Sequence, residues 1–122
     1  MEEVKFRAWI KKDKKMERCV SVSPFYISDC DRIYWKHEEV ELMQYTGLKD
    51  KKNKEIYEGD ICIVSLSYFN IKNEKAIVIF HNGAFQFQYG CEKFFSKPHD
   101  AWDNVEVIGN IYENYDSLII QK

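Results

Sequence analysis

Thr46, Glu58 and Asp60 stand within the stretch LMQYTGLKDKKNKEIYEGDICIV, residues 42–64, where a hydroxyl and two carboxylates could share one site. General acid–base chemistry would need a proton acceptor within hydrogen-bond reach, and no histidine is close in sequence. The stretch also lacks the glycine–lysine spacing of a phosphate-cradling loop. A structural reading competes and is favoured. Gly59 can supply a positive-φ residue at the start of a strand, Asp60 can accept local backbone N–H groups as Asx turns do, and Gly47 can end the preceding strand.

Thiols and imidazoles are the next source of chemistry. The four cysteines, Cys19, Cys30, Cys62 and Cys91, occur singly, without a Cys-x-x-Cys pair. Cys30 with His37, or Cys91 with His99, is a conceivable ligand pair, but neither has zinc-site spacing, and no metal or cofactor is expected. Cys62 lies in an apolar run and reads as a small hydrophobe. Cys91 has only His81 and His99 in its half of the chain and no orienting third group, so nothing marks it as a nucleophile. No enzyme activity is expected. The N-terminal MEEVKFRAWIKKDKK lacks an apolar run of signal-peptide length, so the chain is expected in the cytoplasm with its thiols free.

Lysines gather at KKDKK, residues 11–15, and KDKKNK, residues 49–54. If these tips met, Lys12, Lys14, Lys51 and Lys52 could neutralise phosphates beside Arg7, with Trp9 as a stacking platform. Against this, lysine in turns is an ordinary way to keep sheet ends soluble. Formal charge is −2, and Glu38, Glu39, Glu41, Glu55 and Glu58 lie close by in sequence, so nucleic acid is a possible partner but not the favoured one. A fourth group, Phe25, Tyr26, Tyr34 and Trp35, fits no simple period. It reads either as a cap on the core or as the aromatic patch typical of protein interfaces. Phe94, Phe95 and Trp102 carry the same ambiguity.

The elements that would position these groups are mostly strands. VKFRAWI alternates, with Val4, Phe6, Ala8 and Ile10 on one face and Lys5, Arg7 and Trp9 on the other. The lysine turn then leads into residues 16–22 as an opening hairpin. Residues 23–39 read as an irregular excursion with a short strand at 32–35. A strand begins near Val40, and its apolar phase shifts towards Met43 and Tyr45 as a bulge or bend would produce. Apolar strands follow at 61–68 and 75–81. Asn82-Gly83 is the strongest hairpin signal in the chain, because a type I′ turn needs positive φ twice. Phe85, Phe87 and Tyr89 alternate on the returning strand. CEKFFSK suggests a short helical turn, residues 105–112 a last strand, and the tail a short helix or edge strand.

One domain of this length can hold a single core, and its 45% hydrophobic and 16% aromatic content excludes a disordered chain. No segment approaches the roughly 18 apolar residues of a membrane helix. Many short strands predict a mainly β fold, either a small barrel or a pair of curled sheets, with an added hairpin.

Three blocks, KFRAWIKKDKKM, LMQYTGLKDKKNKEIYEGDICIV and EVIGNIYENYDSLI, together resemble the YopX family, small proteins of phages and prophages in Gram-positive and other bacteria. They occur in the expected order and span nearly the whole chain, and residues 23–39 fall outside the pattern. The resemblance implies a mostly β fold with an SH3-like or split-barrel element that self-associates. It implies no activity. The combined expectation is a non-enzymatic interaction or assembly module, partnered by itself or by another phage or host protein.

Overall fold

The structure is a computed structural model that describes residues 4–66, 71–81, 83–89, 94–96 and 104–114. The chain divides into two compact units, Met1–Tyr45 and Thr46–Lys122, and the division falls inside a strand.

In the first unit, β1 (Phe6–Ile10) and β2 (Lys15–Val22) form the predicted opening hairpin. β3 (Ile27–Asp29) and β4 (Tyr34–Trp35) extend the sheet from β2, and a 3₁₀ turn at His37–Glu39 leads into β5 (Val40–Lys49). β5 pairs antiparallel with β1. Ala8, Ile10, Ile27 and Val40 make the buried cluster, with Val20, Trp35 and Leu42 packed against it. The apparent excursion at 23–39 is thus two short strands and a turn.

Two sequence readings of this unit are corrected. No bulge marks the β1–β5 pairing, whose register runs unbroken from Phe6↔Gln44 to Ile10↔Val40. The apolar phase shifts because different faces are covered along β5. Val40 and Leu42 pair with Ile10 and Ala8 over the core, whereas Met43 is buried on the opposite face beside Arg7. Arg7, expected to be exposed, is therefore only 2% accessible, and its Nε donates to Met43 Sδ at 3.4 Å. The ladder irregularity lies between β1 and β2, at Phe6/Ala8.

In the second unit, β6 (Glu55–Tyr57) follows the lysine turn and continues the first sheet beside β5, giving the order β4-β3-β2-β1-β5-β6. β7 (Asp60–Leu66), β8 (Ile71–His81), β9 (Ala84–Tyr89), β10 (Phe94–Ser96) and β11 (Glu106–Asn110) form the second sheet, in the order β10-β9-β8-β7-β11. Its core gathers Ile56, Cys62, Val64, Ala76, Val78, Phe87, Val105 and Val107. The β8–β9 hairpin forms where Asn-Gly predicted it, with His81 opposite Ala84 and Gly83 at φ 80°; Asn82 lies outside the described residues.

The mainly β class holds, and the strands form a pair of sheets rather than the alternative small barrel. The strand orders describe two open antiparallel sheets, and among the described residues no ladder closes either one on itself. Phe94–Ser96, read as a helical turn, is a strand because pairing with β9 outweighs the local tendency. The last strand ends at Asn110 rather than residue 112, since a side-chain-capped turn takes over there. Of the possible tail element at 113–122, residues 113–114 belong to that turn and 115–122 lie outside the described residues.

Candidate functional site

In the middle block, backbone groups engage the polar side chains of Thr46 and Asp60. Glu58-Gly59 forms the corner between β6 and β7, with Gly59 at φ 88° in the region that favours glycine. The Gly59 N–H donates to Val78 O at 2.8 Å, and its carbonyl accepts from Ile111 N at 2.9 Å, which leaves this one residue bonded on both sides. Asp60, 1% accessible, accepts the Tyr57 N–H on Oδ2 at 2.8 Å. The Thr46 hydroxyl donates to Ile56 O at 2.7 Å and accepts from Leu48 N at 3.2 Å. Gly47 sits within β5 at φ 88° rather than ending the strand.

Sequence reasoning missed Asp50. Its carboxylate is 6% accessible; Oδ1 accepts from Lys52 N at 2.8 Å and Lys54 N at 2.9 Å, and Oδ2 accepts from Val107 N at 2.9 Å. Burial alone would raise its pKa, yet the backbone donors Val107, Lys54 and Lys52 outweigh burial and hold it below the ordinary 3.8. Asp50 thereby shapes the lysine turn and ties it to β11. The third block answers the second directly, because Asn110 pairs with Asp60 and Gly109 with Ile61. Asn110 Oδ1 accepts from Tyr112 N and Glu113 N, at 3.0 and 2.9 Å, and Asn110 N donates to Asn114 Oδ1 at 3.1 Å. A Cβ on Gly109 would stand 2.5 Å from that Oδ1, so the close approach excludes any larger residue without movement.

The lysine tips are partly spent. Lys52 pairs with Glu106 at 2.8 Å and Lys51 with the same carboxylate at 3.7 Å. A hydrogen bond from Lys52, then its charge, lowers the pKa of Glu106, and the same contact raises that of Lys52. Lys12 and Lys14 are exposed in the β1–β2 turn, Trp9 is half-buried, and Arg7 is buried, which removes it from any phosphate-binding surface.

The aromatic group splits. Trp35 packs on the first unit's core, while Phe25 is 85% exposed, Tyr34 56% and Tyr26 40%. Tyr26 and Tyr34 stack with ring centroids 4.8 Å apart. Val22 and Ile33, not singled out from the sequence, are exposed beside them in the chain. The turn that presents Phe25 is held by its own hydrogen bonds. Ser23 Oγ donates to Tyr26 O at 2.9 Å and accepts from Tyr26 N at 3.1 Å, and His37 Nε2 donates to Ser23 O at 2.8 Å. Fixing such residues in advance reduces the ordering cost of binding.

Two cysteines expected to be free are joined. Cys19 and Cys30 form a disulfide with Cα atoms 6.2 Å apart, whereas Cys62 is a buried thiol outside that bond. The physical reason is register: Val20 opposes Asp29, so the next pair outward is Cys19 and Cys30. A signal was available, since the two cysteines are symmetric about the Pro24-Phe25 turn. With Cys30 in a disulfide and His37 bonded to Ser23, that conceivable ligand pair is dismantled; Cys91 and His99 lie outside the described residues. Among the described residues, no group of three His, Cys, Asp or Glu side chains could hold a metal ion. Among them, too, no helix is long and apolar enough to cross a membrane.

The model of the family described as YopX protein matches residues 5–118. The chain belongs to the YopX family. The crystal structure of protein EF1440 from Enterococcus faecalis is similar at 27% identity and a TM-score of 0.69, covering 97% of this chain and 99% of that one. The X-ray crystal structure of protein yopX from Bacillus subtilis, at 17% identity and a TM-score of 0.63, covers 95% and 98% and shares the fold. No curated protein matches the chain. In this YopX-family chain the three blocks meet through backbone pairing: β1 of the first with β5 of the second, and β7 of the second with β11 of the third. Their glycines and short polar residues make corners and caps, and the exposed aromatic surface lies on the segment outside the blocks.

Proposed function

We propose that this YopX-family protein is a non-enzymatic protein-interaction or assembly module of phage or prophage origin, working in the cytoplasm of the bacterial host. One observation carries the reading: Phe25 and Tyr26 are exposed on a turn held by Ser23 and His37, and exposed Tyr34 of β4 stacks on Tyr26. Large aromatics contribute much interface energy at low rotamer cost, and such groups cluster where partners dock. Self-association is the first partner to test, followed by another phage or host protein. Light scattering of the purified protein beside a Phe25→Ser/Tyr34→Ser double variant should show the wild type heavier than one chain and the variant shifted towards monomer. A monomeric wild type that also retains no partner from host lysate would sink the proposal. The lysine tips support a nucleic-acid role less well, because Glu106 already faces Lys51 and Lys52 and Arg7 is buried.

A further inference from the structure

The aromatic turn and the disulfide are parts of one loop. Cys19 lies on β2 and Cys30 follows β3, so the bond closes a loop with a sequence separation of 11 that contains Phe25 and Tyr26. Tyr34, which stacks on Tyr26, stands just beyond it across the β3–β4 turn. Both cysteines are solvent-exposed, unlike buried Cys62, so a small thiol can reach them.

The remaining ties in this segment are unequal. Ile27 is fully buried in the core and anchors the middle of the loop. The end beyond it depends on Asp29, whose Oδ1 accepts from Asp31 N and Ile33 N, each at 2.9 Å, in an exposed turn. Strands of three and two residues, as β3 and β4 are, are marginal on their own. Closing a loop of this size restrains the opened chain by roughly a hundredfold in the chain-entropy account.

We infer that Cys19–Cys30 is a reversible thiol–disulfide exchange site that regulates the aromatic surface, holding it ordered when oxidised and loosening it when reduced. This rests on the interaction reading above. The exchange partner is a small thiol of the glutathione class. One thiolate RS⁻ attacks a sulfur of the bond, giving a mixed disulfide on one cysteine and a thiolate on the other. A second RS⁻ attacks the mixed disulfide, releasing RSSR and the second cysteine thiolate, and the two cysteine thiolates take up protons. The protein gains two electrons, and two small thiols are oxidised to one disulfide. Re-oxidation by RSSR runs the same steps backwards. In a reducing cytoplasm the surface would be loose at rest and set by an oxidising shift.

The test equilibrates the full chain in defined reduced and oxidised glutathione mixtures. It reads peptide-resolved alkylation of Cys19 and Cys30, amide hydrogen exchange over residues 23–35, and mass by light scattering. The inference expects alkylation of both cysteines to rise together with the reducing fraction. Exchange in 23–35 should become at least about tenfold faster on reduction, and association several-fold weaker. A Cys19→Ser/Cys30→Ser variant should behave as the reduced wild type under both conditions. Failure of the cysteines to couple at the oxidising end, or exchange indifferent to their state, overturns the switch while leaving the interaction reading intact if Phe25→Ser still weakens association. Exchange that responds while Phe25→Ser changes association in neither state overturns the regulatory claim by removing the interaction surface itself.

Discussion

Asp50 and Gly109 show how single residues in motif-like positions serve the fold. Asp50 collects three backbone N–H donors, so Asp50→Ala leaves a buried donor at Val107 and two in the turn without their acceptor. The expected loss is about 2–3 kcal/mol, read from urea unfolding. The pH dependence follows from the direction of its shift. Because the folded pKa lies below the ordinary 3.8, ionised Asp50 stabilises the protein above about pH 4, and that contribution disappears as pH falls through the folded value. Urea midpoints at pH 7 and pH 3 should therefore differ more for the wild type than for Asp50→Asn. Gly109→Ala forces its Cβ against the Asn114 side chain and breaks the Asn114 bond to Asn110 N, at a cost of about 1–3 kcal/mol. An unchanged melting temperature for this variant would show that Asn114 moves aside freely.

At the scale of elements, burial and register decide which short strands persist. β3 has three residues, and its attachment rests on Ile27, which is fully buried beside Ala8, Ile10 and Val40. Ile27→Ala should cost about 2–5 kcal/mol and release β3 and β4 first, seen as faster amide exchange at 27–35 than in β1 and β5. If exchange rises equally in all four strands, the β3–β4 excursion is not a separate element energetically. The β6–β7 corner is the counterpart in the second unit. Gly59→Ala would hold an L-residue at φ 88°, costing roughly 1–2 kcal/mol without removing any side-chain contact.

At the scale of the whole molecule, the charge distribution bears on the nucleic-acid alternative to the proposed interaction role. The net charge of −2 gives no general attraction to nucleic acid, and the basic tip at 51–52 is faced by Glu106. The wild type should give no salt-dependent gel shift with duplex or single-stranded DNA at moderate salt. A shift abolished by Lys12→Glu/Lys14→Glu would transfer the functional role to the β1–β2 turn.

The strands, the Asn-Gly hairpin and the opening hairpin were legible because they depend on local alternation and turn chemistry, which a chain carries in its own order of residues. The three family blocks were legible for a related reason: their glycines and short polar residues are needed wherever a corner or cap must form. Only tertiary structure decided the rest. Arg7 alternated as an exposed residue, yet it is buried because Met43 covers the same face, and strand pairing across 36 positions is invisible to periodicity. Likewise Cys19 and Cys30 read as free until the β2–β3 register set them opposite each other. Sheets close or stay open through pairings distant in sequence, which is why the short strands left a barrel and a pair of sheets as alternatives and only the pairing decided between them.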